Sequence, residues 1–213
     1  FAAWGPRDSI GGINKIEDEI AEARELVGYD SELMLDCWLS MDVETVVRIS
    51  EQLKPYRLKW IEDALLSESI TQYEILRNRI PHQTIATGEH WYTVHPFFHA
   101  ASKGLVDILQ PDITWVGGLT AVIRIVHIAE AAGIDVILHG GGGSVFGQHA
   151  SYGLTGIPMI ECSGPVITAI GVPLHEKDRF PGTPVPDNGK LIPSDAPGFG
   201  FEIKREWFPD FFS

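Results

Sequence analysis

Six ionisable side chains stand at the ends of six successive apolar runs. Asp36 ends "LMLD", Glu62 ends "LKWIE", Glu89 ends "TIATGE", Asp112 ends "DILQPD", His139 ends "DVILH" and Glu161 ends "PMIE". An acid does not belong in a buried strand unless something pairs with it. A single one reads as the N-cap of the next helix, a position Asp favours. Six in register point to one shared site. Asp36, Glu62 and Glu89 come from adjacent runs, and three carboxylates brought together repel unless a cation lies among them. Hard oxygen donors with room left for water and substrate suit Mg2+. Asp112 and His139 come from the following two runs. A carboxylate beside an imidazole fixes its tautomer and raises the basicity of the other nitrogen, which makes His139 a candidate general acid/base.

His139 also opens the stretch "HGGGGS" over 139–144. Such glycines serve as a linker, as a phosphate cradle, or as a turn that clears space. A phosphate loop wants GxxxxGK[ST] or GxGxxG leading into a helix, and no such lysine follows here. A linker would separate two domains, yet helix and strand patterns resume within a few residues. The third reading is preferred: the glycines let the backbone turn and leave room beside His139 for substrate.

The elements that must position these residues alternate along the chain. Strands are expected at 1–4, 32–39, 57–64, 83–90, 106–113, 135–140 and 158–164. Helices are expected at 13–28, 42–56 (with Asp42 as N-cap), 69–80, 94–104, 119–133 and 145–156. Repeated strand–helix alternation with short connections gives right-handed βαβ units and a parallel sheet covered by helices, either a barrel or a doubly wound sheet. In a barrel the strand ends converge on one mouth. The rhythm stops near residue 165. Residues 165–213 are rich in Pro and Gly, but their Phe and Trp content argues for a segment packed against something.

Composition narrows the partners. The 213-residue chain carries a formal net charge of −13, which repels phosphate backbones and argues against nucleic acid. No apolar run is long enough for a membrane span. The two cysteines, Cys37 and Cys162, lie in apolar runs without CxxC spacing. That suits buried free thiols in a reducing, cytoplasmic compartment. The opening "FAAWGP" reads as the middle of a strand, so residues before Phe1 are expected.

The motifs "LMLDCW", "KWIED", "TGEH", "QPDITWVGG" and "LHGGGGS", with the late "PVPDNGKL" and "PGFGFEI", resemble the enolase superfamily, mandelate racemase-like subgroup, and within it the acid-sugar dehydratases. The resemblance runs over nearly the whole chain. It implies a TIM-type (β/α)7β barrel, incomplete at the N-terminus, in which the first strand and the capping domain are missing. The barrel would occupy 1–164, and 165–213 would pack back toward that cap. By the same resemblance Asp36, Glu62 and Glu89 bind Mg2+, and Asp112 and His139 form the catalytic dyad. Glu161 sits by the substrate as a further catalytic group, and His90 contacts substrate. Trp38 walls the pocket or packs in the core. The implied partner is a small-molecule sugar acid, and a homo-oligomer is compatible with the subgroup. Racemases of the subgroup carry a lysine pair opposite the histidine; residues 1–10 hold no lysine, so a second base is not visible.

Overall fold

The computed structural model describes residues 9–168, 171–175, 178–179, 182–201 and 206. The strand expected at 1–4 and the final stretch of the C-terminal segment lie outside these residues.

Each helix begins and ends where its residues dictate. Helix α1 (Ile10–Val27) starts at Ser9, whose hydroxyl accepts from Gly12 N–H, and stops at Gly28, φ 70°. It buries Ile13, Ile16, Ile20 and Arg24, a helical spacing. The Arg24 guanidinium is buried because it donates to four carbonyls, those of Gly28, Ser31, Tyr56 and Arg57. Helix α2 (Val43–Gln52) is capped by Asp42 and gives way to a 3-10 turn at Lys54–Tyr56, where Pro55 lacks the N–H to continue it. Helices α3 (Ile70–Arg79), α4 (His95–Ser102), α5 (Gly118–Ala132) and α6 (Val145–Gly153) follow. Gly133 ends α5 in the left-handed conformation.

Between the helices run β1 (Leu35–Asp36), β2 (Ile61–Glu62), β3 (Ile85–Thr87), β4 (Ile108–Leu109) and β5 (Asp135–Val136). They form one parallel sheet in the order β1-β2-β3-β4-β5. The regular ladders are shorter than expected from sequence, but single backbone bonds extend them, such as Cys37 N to Glu62 O and Asp63 N to Ala86 O.

Side chains alternate across the sheet. Leu35, Ile61, Ile85, Leu109, Val136 and Leu138 join the helices in one large apolar cluster. On the other face Trp60, Ala86, Ile108 and Ile137 form a small separate cluster with Met34 against it. The architecture is α/β, a parallel sheet with covering helices that fits an incomplete barrel.

The strand expected at 158–164 is not one. Among the described residues, its backbone bonds to the rest of the sheet end are Gly142 N donating to Glu161 O and, just before the segment, Val136 N donating to Gly156 O. A strand needs a continuous partner, and here the neighbouring chain is the 3-10 turn Gly141–Gly143, whose carbonyls and N–H groups do not form a ladder. Beyond it, Phe199 packs edge-on against Phe146 of α6 at 4.8 Å, and Phe201 against the same ring at 6.1 Å. Gln148 donates to Pro184 O. Pro184, Phe199 and Phe201 of the C-terminal segment therefore rest on α6. No helix among the described residues is long and apolar enough to cross a membrane.

Candidate active site

Parallel pairing sets the acids level with one another. Asp36 pairs with Glu62 across β1 and β2, and Glu62 pairs with Ala86, three residues before Glu89. Asp112 and His139 face each other in a parallel bridge beyond β4 and β5. Gly88 lets the chain through: at φ 136°, a Cβ there would meet Phe97 Cε1 at 2.7 Å and Gln110 N at 3.2 Å.

The residues form two linked groups. Asp36, Glu62 and Glu161 line a cavity of about 290 Å3 together with Gln110 and, below them, Met34, Trp60 and Ile137. The second group is joined by direct contacts. His139 Nδ1 lies 2.9 Å from Asp112 Oδ2, and His139 Nε2 lies 3.1 Å from Glu89 Oε2. His90 Nδ1 lies 3.1 Å from Glu89 Oε1 and 2.8 Å from Asp63 Oδ2. Glu161 connects the two groups, since its Oε2 accepts from Gly140 N–H, the residue after His139, at 2.9 Å.

The glycines turn the backbone at Gly140, beside His139, and allow close packing further on. Gly140 takes a left-handed conformation, but the space at Gly142 is filled by protein. A Cβ there would meet Cys162 Sγ at 2.4 Å and Glu161 O at 2.8 Å. The bare backbone thus brings the Glu161 segment close to His139. The close packing leaves no room for a substrate at Gly142 itself.

Electrostatics follow from this crowding. Burial raises the Asp36 carboxyl, against a bond from Trp38 N–H, and the charges of Asp63 and Glu161 add to the rise. Burial also raises Glu62, although the Trp60 indole and Gln110 pull it down; Asp36 and Glu161 push it further up. Glu89 is pushed up to about 7, by burial first; His139 and His90 draw it down, while Asp63 and Asp36 oppose them. Burial opposes a charged His139, but the Asp112 hydrogen bond and the charges of Glu89 and Glu161 outweigh it, and the imidazole rises to about 9. Asp112 is lowered: burial is overcome by bonds from His139 and from the Thr114 hydroxyl and N–H.

Three buried or half-buried carboxylates, each raised by burial and two of them raised further by the charge of Asp36, are a donor set short of positive charge. Asp36, Glu62 and Glu89 therefore fit a hard divalent cation by chemistry. The tightest group of donor atoms among the described residues is a different one: Asp63, Glu89 and His90, all within 4.8 Å of one another. Asp63 is not free to coordinate there, because its oxygens already accept from Thr87 and His90.

Trp38 stands apart. It is 51% exposed, and the chain turns out of the sheet at positive φ at Trp38 and Leu39. Its N–H donates to Asp36 Oδ1 at 2.8 Å, but its ring is neither in the core nor on the wall of the Asp36–Glu62 cavity. The aromatic near the histidines is Trp115, edge-on to His90 at 5.5 Å and tilted toward His139 at 6.5 Å. Sequence reading missed Trp115 and Asp63. Both lie in conspicuous motifs, "DITWVGG" and "KWIED"; the second acid of the ED pair was the available signal.

A parallel α/β sheet that gathers acids and an acid-paired histidine at its strand ends has the arrangement found in barrel enzymes, whose chemistry sits at that end. The model of the family described as enolase C-terminal domain-like matches residues 4–207. The chain belongs to that family. It is 41% identical over 204 residues to a curated protein of Caldivirga maquilingensis named "Putative L-rhamnonate dehydratase", covering 95% of this chain and 50% of that one. The chain thus spans about half the length of this relative. Among solved structures it is similar to rhamnonate dehydratase from Gibberella zeae complexed with Mg. That match has a TM-score of 0.74 and 23% identity over 95% of this chain and 50% of that one. It is also similar to L-talarate dehydratase from Polaromonas sp. JS666 complexed with Mg and L-glucarate, with a TM-score of 0.56 and 27% identity over 60% and 35% of the two chains.

Proposed function

We propose that the protein is an Mg2+-dependent acid-sugar dehydratase acting on L-rhamnonate. The observation that carries the reading is the His139–Asp112 pair at 2.9 Å, placed in contact with Glu89 and beside Glu161. The substrate comes from the relative that is 41% identical over nearly the whole chain. Asp36, Glu62 and Glu89 would hold the cation. A bound Mg2+ would supply Lewis-acid stabilisation of charge developing on the substrate carboxylate.

The remaining steps belong to side chains. In its neutral form His139 takes the proton α to the carboxylate at Nε2, and the C–H electrons pass into an enediolate. Asp112 holds the ring through Nδ1 and stabilises the imidazolium that forms. The β C–O bond then breaks, and the same imidazolium returns its proton to the departing hydroxyl, which leaves as water. The enol tautomerises to a 2-keto-3-deoxy sugar acid. One histidine in both roles needs no second base. Glu161 lies close enough to raise the proton affinity of His139, and His90 contacts a substrate hydroxyl.

The test uses the full chain, Mg2+ and a panel of sugar acids, scoring 2-keto-3-deoxy product, with His139→Asn alongside. L-Rhamnonate is expected to turn over, and the variant to lose about 10²–10⁴-fold in kcat. Solvent deuterium exchange at the α-carbon without elimination would point instead to a racemase or epimerase. Product formation undiminished in His139→Asn would remove the histidine from the chemistry.

A further inference from the structure

The strand ends hold two acid–imidazole pairs built to one plan. Asp63 meets His90 Nδ1 at 2.8 Å and Asp112 meets His139 Nδ1 at 2.9 Å, each histidine standing 27 residues after its acid. Both imidazoles touch Glu89, one on each carboxylate oxygen. The wiring differs. His139 engages Asp112 through Nδ1 and Glu89 through Nε2. His90 engages both of its acids through Nδ1, and its Nε2 has no hydrogen-bond partner among the described residues.

Behind Asp63 runs a chain of fixed polarity. Leu65 N–H donates to the Tyr73 hydroxyl at 3.4 Å, and that hydroxyl donates to Thr87 Oγ1 at 3.2 Å. Thr87 in turn donates to Asp63 Oδ1. Tyr73, Thr87 and Asp63 are all buried. A carboxylate only accepts. With Oδ1 filled by Thr87, Oδ2 faces His90 Nδ1, and Nδ1 must carry the proton. Asp63 also adopts φ 44°, a left-handed backbone that a side chain seldom takes unless its surroundings demand it.

We propose that Asp63 is a positioning residue: backed by Thr87 and Tyr73, it fixes the His90 ring as the Nδ1–H tautomer, so that Nε2 accepts a hydrogen bond from a hydroxyl of a polyol substrate. The identity of the substrate rests on the dehydratase reading; the tautomer does not. The two pairs thereby divide the work. Asp112 orients a histidine that moves a proton, and Asp63 orients one that reads a hydroxyl donor.

The test is 15N NMR of the His90 ring in the full chain, with Asp63→Asn and Thr87→Val beside it and steady-state kinetics on L-rhamnonate. The wild type is expected to show a protonated Nδ1 and a bare Nε2. Asp63→Asn is expected to mix the tautomers and raise KM about tenfold, the worth of one good hydrogen bond, with a smaller change in kcat. Thr87→Val should move the ring shifts the same way by less. An Nε2–H tautomer in the wild type, or an Nδ1–H tautomer that survives Asp63→Asn, overturns the proposal. Should Asp63→Asn fail to fold, Thr87→Val decides, and unchanged ring shifts there count against the lock. If the spectra behave as expected but no sugar acid reacts, the dehydratase reading falls while the tautomer lock stands.

Discussion

Phe97, behind the sheet, and Glu89, at the ends of its strands, are both buried, yet burial means opposite things for them. Phe97 lies edge-on to Trp91 at 5.4 Å within an apolar cluster that reaches from α1 to α6. Every such contact removes apolar surface from water and stabilises the fold. Glu89 has two imidazoles for company and is still pushed up to about 7. Asp36 and Glu62 are raised by burial as well. The outer layer therefore holds the acids where they would not hold themselves, as expected where a site needs charge that the fold would otherwise reject.

The largest expected effect lies on the stabilising side of that contrast. Phe97→Ala should cost about 3–5 kcal/mol in urea unfolding, since a fully buried aromatic leaves a cavity in a packed layer. A cost below about 1 kcal/mol would mean that the outer layer is not what carries the fold.

Next comes the response of the acids to pH. Without a cation, Glu89 keeps its proton up to a pH of about 7. A metal ion held by Asp36, Glu62 and Glu89 must displace that proton. Its affinity should therefore rise about tenfold per pH unit below 7 and level off above it. Mg2+ titrations at pH 6, 7 and 8, followed by calorimetry, measure this. An affinity flat across that range would separate Glu89 from the metal.

The alternation of elements was legible because each helix carries its own signals: Asp42 at one start, Gly28 and Gly133 at two ends. The strand-end acids were legible because an acid that closes an apolar run is conspicuous. Asp63 was not, since simple alternation sends the residue after Glu62 to the opposite face, and only its φ of 44° carries it to His90. Residues 158–164 read as a strand from composition alone, but strands exist only through their partners, and the Gly141–Gly143 turn does not supply one. The core half of the Trp38 reading, which came from the family resemblance, fails because the chain turns at positive φ at Trp38 and Leu39 and leaves Trp38 51% exposed. The misses are set by backbone conformation and by long-range pairing, neither of which local composition encodes.

The last expected effect is the sharpest test of the contrast, because its sign runs against habit. Glu89→Gln replaces a buried acid by the isostere of its protonated form. The folded carboxyl is raised to about 7 from 4.5, so its contribution to stability is greatest below pH 4.5 and is lost as pH rises through 7. The attraction of His139 and His90 is already part of that balance and does not reverse it. The variant should therefore be more stable than the wild type by about 3 kcal/mol at pH 8, the worth of a carboxyl raised from 4.5 to about 7, and nearly indistinguishable at pH 4.5. Its Mg2+ affinity should fall in the same buffers. Thermal melts of both proteins at the two pH values measure the first part. A variant less stable at pH 8 would show that Glu89 is held by its imidazoles more strongly than burial opposes it, and the acids at the strand ends would then help to build the fold instead of weighing on it.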